Sequence, residues 1–241
     1  MSFATTRFES TARVLARTVR QSDPPRRKSD IFVPTTNGDP QAYLLEHEPG
    51  NVIEPHFHTV DQFQLFVAGT GRLGRHEVAP FHVHYTDAYS PYGPIVAGAA
   101  GVAFLTLRPR RDAGAHYMPG SRDKMVRRAG RNVTHHAVLD PIAVARLAGD
   151  SQSVELEAEH PDGLAMWLLR LGASVTMSVP TGGGGQYVVV VSGSLETSDA
   201  TLAPLSCAFV PMGAGATELL AGATGAELLV LRFPVPRAAD A

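Results

Sequence analysis

Residues 54–71 read EPHFHTVDQFQLFVAGTG, with His56 and His58 one residue apart ahead of a run that closes on Gly69 and Gly71. On an extended chain, residues two apart project from the same face. The pair therefore reads either as two prongs of a metal chelate or as ordinary polar residues on a solvent-facing strand. The same period places Gln62, Gln64 and Phe66 on one face and Phe63, Leu65 and Val67 on the other. Buried amides require hydrogen-bond partners, so two glutamines on an inward face suit a pocket better than a purely structural core.

The stretch has a second copy. Residues 43–69 slide onto 167–193 without a gap, an offset of 124. Tyr43-Leu44-Leu45 falls on Trp167-Leu168-Leu169, Gln62-Phe63 on Gln186-Tyr187, and Gly69 on Gly193. SPYG (90–93) has a counterpart in VPMG (210–213), and each half closes on an apolar run, VAFLTLRP (102–109) and AELLVLRFP (226–234). Runs such as FQLFVAG and YVVVVSG are rich in β-branched and aromatic residues and bounded by turn residues, which predicts many short strands per half. Helical periodicity is confined to about residues 135–149 and to the N-terminal stretch.

The totals bound the rest. With 241 residues, 44% apolar and 18% charged, the chain has the composition of a globular protein. A formal net charge of −2 gives no global field toward nucleic acid or a membrane. The segment 108–131 holds eight Arg/Lys against two Asp, yet no stacking platform or helix-turn-helix pattern accompanies it, so it reads as a solvated loop. No run reaches the roughly 18 apolar residues of a membrane span. One cysteine, Cys207, excludes an intramolecular disulfide, reads as a buried small hydrophobe and fits a cytoplasmic setting. The first thirty residues are Arg-rich and superficially like a transit peptide. They lack a signal-peptide core, and QSDPPRRKSD (21–30) breaks regular structure, so residues 1–30 read as an arm or short helix plus linker.

Residues 50–69 resemble the first motif of the cupin superfamily: glycine, five residues, His-x-His, three residues, usually Glu, six residues, glycine. Here the positions are Gly50, His56, His58, Gln62 and Gly69. Residues 85–96 resemble the second motif, Pro-x-Gly-x-x-His, through Pro91 and Gly93. The resemblance covers about 80 residues in each half. It implies an all-β fold of two tandem double-stranded β-helix (jelly-roll) barrels with a short helical linker, that is, a bicupin. The expected boundaries are an arm at 1–30, a first cupin at 31–110, a basic linker with a helix at 111–150, and a degenerate, structural second cupin at 151–236.

Two departures stand out: Gln62 replaces the usual glutamate, and Val96 stands where the second-motif histidine would be. The resemblance implies a divalent transition metal (Fe, Mn, Ni, Cu or Zn) held by His56, His58 and Gln62. His76, His82 and His84 make five histidines within 29 residues, and His84 is the expected fourth ligand. Gln64, Tyr85 and Tyr92 are expected to line a substrate pocket, while Tyr89 reads as packing. Glu54, Asp61 and Asp87 are nearby carboxylates that read as strand-end residues. In the second half Pro180, Gly182 and Ala216 stand at the three histidine positions, and only Gln186 remains. The tract TGGGGQ (181–186) lacks the following helix of a phosphate loop and reads as a hairpin connection.

Two functions remain open. One is a metal-dependent enzyme (dioxygenase-like, decarboxylase or isomerase) acting on a small organic substrate at the first barrel. The other is a non-catalytic bicupin in which His56 and His58 hydrogen-bond within a polar cup that holds an organic ligand directly. A storage role has little support. In both, the partner is a small molecule, with no nucleic acid or membrane, and a homodimer is expected.

Overall fold

The computed structural model describes residues 4–6, 19–20, 26–126, 128–179, 182–197 and 200–237. Packing divides them into two units, one from residue 19 to 136 and the other from 137 to 237 with residues 4–6.

The first unit holds β2 (Val19–Arg20), β3 (Arg26–Phe32), β4 (Gln41–His47), β5 (Val52–Ile53), β6 (His56–Phe57), β7 (Gln62–Leu73), β8 (His76–Val78), β9 (His82–Thr86), β10 (Ile95–Arg108), β11 (His116–Tyr117) and β12 (Asn132–His136). Its main sheet runs β12-β9-β7-β10-β4-β3-β2, with β5 on β10 and β8 on β7, and β6 pairs with β11 separately. The second unit holds β13 (Ser151–Glu157), β14 (Ala165–Leu171), β15 (Thr176–Val179), β16 (Gln186–Glu196), β17 (Thr201–Leu202), β18 (Cys207–Val210) and β19 (Thr217–Arg232). With β1 (Ala4–Thr6) on its edge, the order is β1-β18-β16-β19-β14-β13.

The offset of 124 holds residue by residue. Leu105 pairs with Leu44 across β10 and β4, and Leu229 pairs with Leu168 across β19 and β14. The β7–β10 register slips beside Phe66 and Phe104, and the β16–β19 register slips at the equivalent Val190 and Leu228. Both slips sit beside a left-handed glycine, Gly69 (φ 70) and Gly193 (φ 69). A Cβ there would lie 2.2 Å from the Gly101 carbonyl oxygen and 2.0 Å from that of Gly225, so only glycine lets the bulged strands approach. Phe81 and Leu205 also correspond. Each has φ 68, and each donates its backbone N–H over 2.7 Å, to the carbonyls of Phe66 and Val190.

Three elements differ from the sequence expectation. Strand β3 starts at Arg26, inside the stretch read as arm, because its pairing with β4 begins there, Arg26 opposite His47. His135 and His136 belong to β12, paired with β9, rather than to a helix. The helix, α1, is only Pro141–Arg146: Pro141 fixes its first turn, and the Asp140 side chain caps it by accepting from Ala143 N–H.

Candidate functional site

The period-two pattern of the strands builds the site in rows across adjacent strands. Gln64 on β7 lies opposite His84 on β9 and Thr106 on β10, and Thr106 lies opposite Tyr43 on β4. One step along, Gln62 lies opposite Thr86, and Arg108 lies opposite Gln41. Phe66, Phe104, Ile95 and Tyr92 close the far side as an apolar cluster. From these rows Gln41, Tyr43, Gln62, Gln64, Thr106 and Arg108 line a cavity of about 320 Å³, at the small end of ligand pockets. Its ionisable lining is Arg26, Lys28 and Arg108 against one carboxylate, Asp112, together with His56 and His58.

At the centre lies a hydrogen-bond chain with a single direction. Arg108 donates to Gln62 Oε1 from Nε (3.1 Å) and Nη2 (2.9 Å). The Gln62 amide donates to the Tyr92 hydroxyl, and the hydroxyl lies 2.8 Å from His56 Nε2. His56 Nδ1 is 2.7 Å from the Glu54 carbonyl, which only accepts, so Nδ1 carries the proton and Nε2 accepts from Tyr92. Burial, reinforced by His58, lowers the His56 pKa to about 4, and the imidazole is neutral at pH 7.

His58 is fixed from the other side. Its Nδ1–H donates to Asp112 Oδ2 over 2.8 Å. Arg108 Nη2 is 3.1 Å from both ring nitrogens, and with Nδ1 committed, Nε2 is the acceptor. Burial and the Arg108 charge lower the His58 pKa. Burial alone would raise that of Asp112, but the hydrogen bond from His58 and the charge of Arg108 hold it at about 2. Arg108 Nη1 completes the set at 2.8 Å from Gln41 Oε1 and 3.3 Å from Asp112 Oδ2. Each nitrogen of the guanidinium fork thus has protein partners.

Of the sequence candidates, His56, His58, Gln62, Gln64 and Tyr92 line the cavity together. Tyr85 does not. One residue from His84, it points to the opposite face, where its ring packs on Phe63 at 5.0 Å and its hydroxyl donates to Asp87 over 2.6 Å. His84 shares the inward face but is not in the cavity lining. Its Nδ1 is 2.9 Å from Thr134 Oγ1, the Tyr92 ring lies 5.5 Å away, and burial lowers its pKa to about 3. Asp61 accepts from Ala88 N–H, and Asp87 is bound by Arg131, so both carboxylates hold loops. Thr106, Arg108 and Asp112 escaped the sequence reading. The repeat held the signal for one of them, since the offset that sets Gln62 on Gln186 also sets Arg108 on Arg232.

Three buried polar atoms of the Gln64 row, Gln64 Oε1, Thr106 Oγ1 and His84 Nε2, have no hydrogen-bond partner among the described residues. In the second unit the same row is Ala208, Val188, Val230 and Trp167, of which Val188 and Val230 belong to an apolar cluster and Trp167 packs against it. One end of that cup is polar. Arg232 Nε donates to Gln186 Oε1 over 3.1 Å, its guanidinium stacks on Trp167 at 4.7 Å, and Nη1 reaches Glu159 at 3.2 Å. Gly182 lies beside Arg232, Ala216 is exposed, and Pro180 and Thr181 lie outside the described residues.

The donor set does not fit the metal that the sequence motif implies. His56 Nε2, His58 Nε2 and Gln62 Oε1 all accept from N–H or O–H groups of Tyr92 or Arg108. A dication about 4 Å from the guanidinium would be repelled by about 8 kcal/mol at an effective dielectric of ~20, before Asp112 offsets part of it. Among the described residues, no group of three His, Cys, Asp or Glu is placed to hold a metal ion. No described helix is long and apolar enough to cross a membrane.

No protein-family model and no curated protein matches the chain. Solved structures do. A "putative dioxygenase" from Nostoc punctiforme is similar over 98% of this chain and 85% of its own, at 12% identity and a TM-score of 0.64. Oxalate decarboxylase from Bacillus subtilis is similar over 88% of this chain and 73% of its own, at 12% identity and a TM-score of 0.54. A further structure of that decarboxylase concerns its Mn(II) centres. Identities this low speak to fold alone, and the all-β fold described above is what these structures share with this chain.

Proposed function

We propose that the chain is a bicupin whose first barrel binds a small organic anion directly in its cup, while the second, degenerate barrel is structural. The observation that carries this reading is the contrast between two equivalent rows. The first unit buries Gln64 and Thr106 with unpartnered polar atoms against a cavity, and the second fills the same positions with Val188 and Val230. Buried polar groups without partners destabilise a fold, and a ligand that supplies the missing hydrogen bonds relieves that cost. Three cationic side chains against one carboxylate give the cavity its preference for an anion. Tyr43, Tyr92, Tyr117 and Phe104 supply apolar contact for an organic body.

A metal-dependent enzyme of the dioxygenase, decarboxylase or isomerase type is the second reading. One observation favours it: the Nδ1 atoms of His56 and His58 are tied to a carbonyl and a carboxylate, which is how metal-ligating imidazoles are oriented. Thermal-shift screening of chelator-treated protein against small carboxylates and their neutral amides tests the first reading. Several carboxylates should raise the melting temperature while their amides leave it unchanged. A panel with no stabilising carboxylate overturns it.

A further inference from the structure

We infer that a built-in cation, the Arg108 guanidinium, has taken the place of a metal ion in the first cup, so that this cup works without one. The inference goes beyond the identity of the ligand and does not depend on it. The scaffolding of a metal site is intact around His56 and His58: each Nδ1–H is anchored, and each Nε2 is left to accept toward the cup. What accepts a cation's charge here accepts N–H groups instead. Arg108 reaches Gln62 Oε1, Gln41 Oε1, Asp112 Oδ2 and His58 within 2.8–3.3 Å.

Gln62 is the matching change. A carboxylate at that position would favour a dication, whereas an amide offers one neutral oxygen to the guanidinium and an N–H to Tyr92. The second unit supports the same conclusion independently. Gln186 and Arg232 hold each other at the same 3.1 Å, in a cup whose described residues keep no histidine. The two cups thus share the glutamine–arginine pair and not the His-x-His pair, so the guanidinium is the feature common to both halves of this chain.

Two measurements decide the matter. In the first, wild-type protein is stripped with chelator, loaded with one equivalent of Mn²⁺, Co²⁺, Ni²⁺ or Zn²⁺, desalted and analysed for metal. Less than a tenth of an equivalent should be retained, with no change in melting temperature. Retention of about one equivalent that is lost in His56→Ala/His58→Ala overturns the inference. In the second, Gln62→Glu/Arg108→Ala removes the guanidinium and restores the carboxylate, giving two imidazoles and one carboxylate on one face. The folded double variant should retain about one equivalent of Co²⁺, with visible d–d absorption and a raised melting temperature. A folded double variant that still rejects all four metals also overturns the inference. If that variant does not fold, Gln62→Glu/Arg108→Met, which keeps the side-chain volume, is read by the same criteria, and the wild-type loading decides by itself if neither folds.

Discussion

Arg108 and Gln62 form a two-point contact, Nε and Nη2 of the guanidinium both donating to the amide oxygen at 3.1 and 2.9 Å. The contact fixes more than the two residues. It leaves the Gln62 N–H to face Tyr92, which in turn sets the direction of the hydroxyl toward His56. The chain from the cation therefore ends on the same His56 tautomer that the Glu54 carbonyl imposes from the other side of the ring.

Removing the guanidinium should therefore be costly. In Arg108→Met, the buried Asp112 carboxylate and the Gln62 carbonyl lose their partner, and breaking a buried pair from one side costs about 3–5 kcal/mol. Arg232→Met should cost clearly less, since its acidic partner Glu159 is exposed and solvated in the variant. Urea denaturation of both variants measures the difference, and equal losses would contradict the assignment.

The buried imidazoles set the pH dependence. The pKa values of His56 and His47 are lowered to about 4, and that of His84 to about 3, chiefly by burial, from an ordinary 6.5. Between those values and 6.5 the unfolded chain binds more protons than the folded one. Stability is therefore fully present above pH 6.5 and is lost as pH falls toward 4 and below, by roughly 3 kcal/mol for His56 alone. Asp112, held at about 2, adds a further loss only below the range of unfolded carboxylates. Melting temperatures from pH 7.5 to 4 should fall steadily, and a flat profile would show that these histidines are not buried and neutral.

The second unit supplies the design for a third test. Gln64→Val/Thr106→Val copies Val188 and Val230 onto the first cup and removes two unpartnered buried polar atoms. The variant should gain about 1–3 kcal/mol in stability and lose affinity for carboxylates. Lower stability together with retained binding would mean that the row is structural.

Much of this was legible in the sequence, and the reason is periodicity. The offset of 124 carries through register, bulge and turn, because the glycines and strand-forming runs that set those features were themselves duplicated, as at Gly69 and Gly193. Within the cup, the even positions of β7 faced inward as alternation requires, which brought Gln62 and Gln64 into the lining. Closeness to the second motif suggested Tyr85 as a pocket residue, but one residue from His84 on a strand means the other face. Crowding in sequence also does not say which neighbour meets a ring, and for His84 Nδ1 that neighbour is Thr134 on β12. Arg108 was hidden because an arginine at a strand end reads as a surface charge. Its burial at 2% exposure depends on partners 46 to 67 residues earlier in the chain. Asp112 sits in a segment whose composition gave only a basic loop.

Isothermal titration of the most stabilising carboxylate from the screen, carried out in excess chelator, decides whether the first cup binds an anion without a metal. Binding near one equivalent, unchanged by chelator and abolished in Gln64→Val/Thr106→Val, is the predicted result. Binding that appears only after a divalent metal is restored would contradict it.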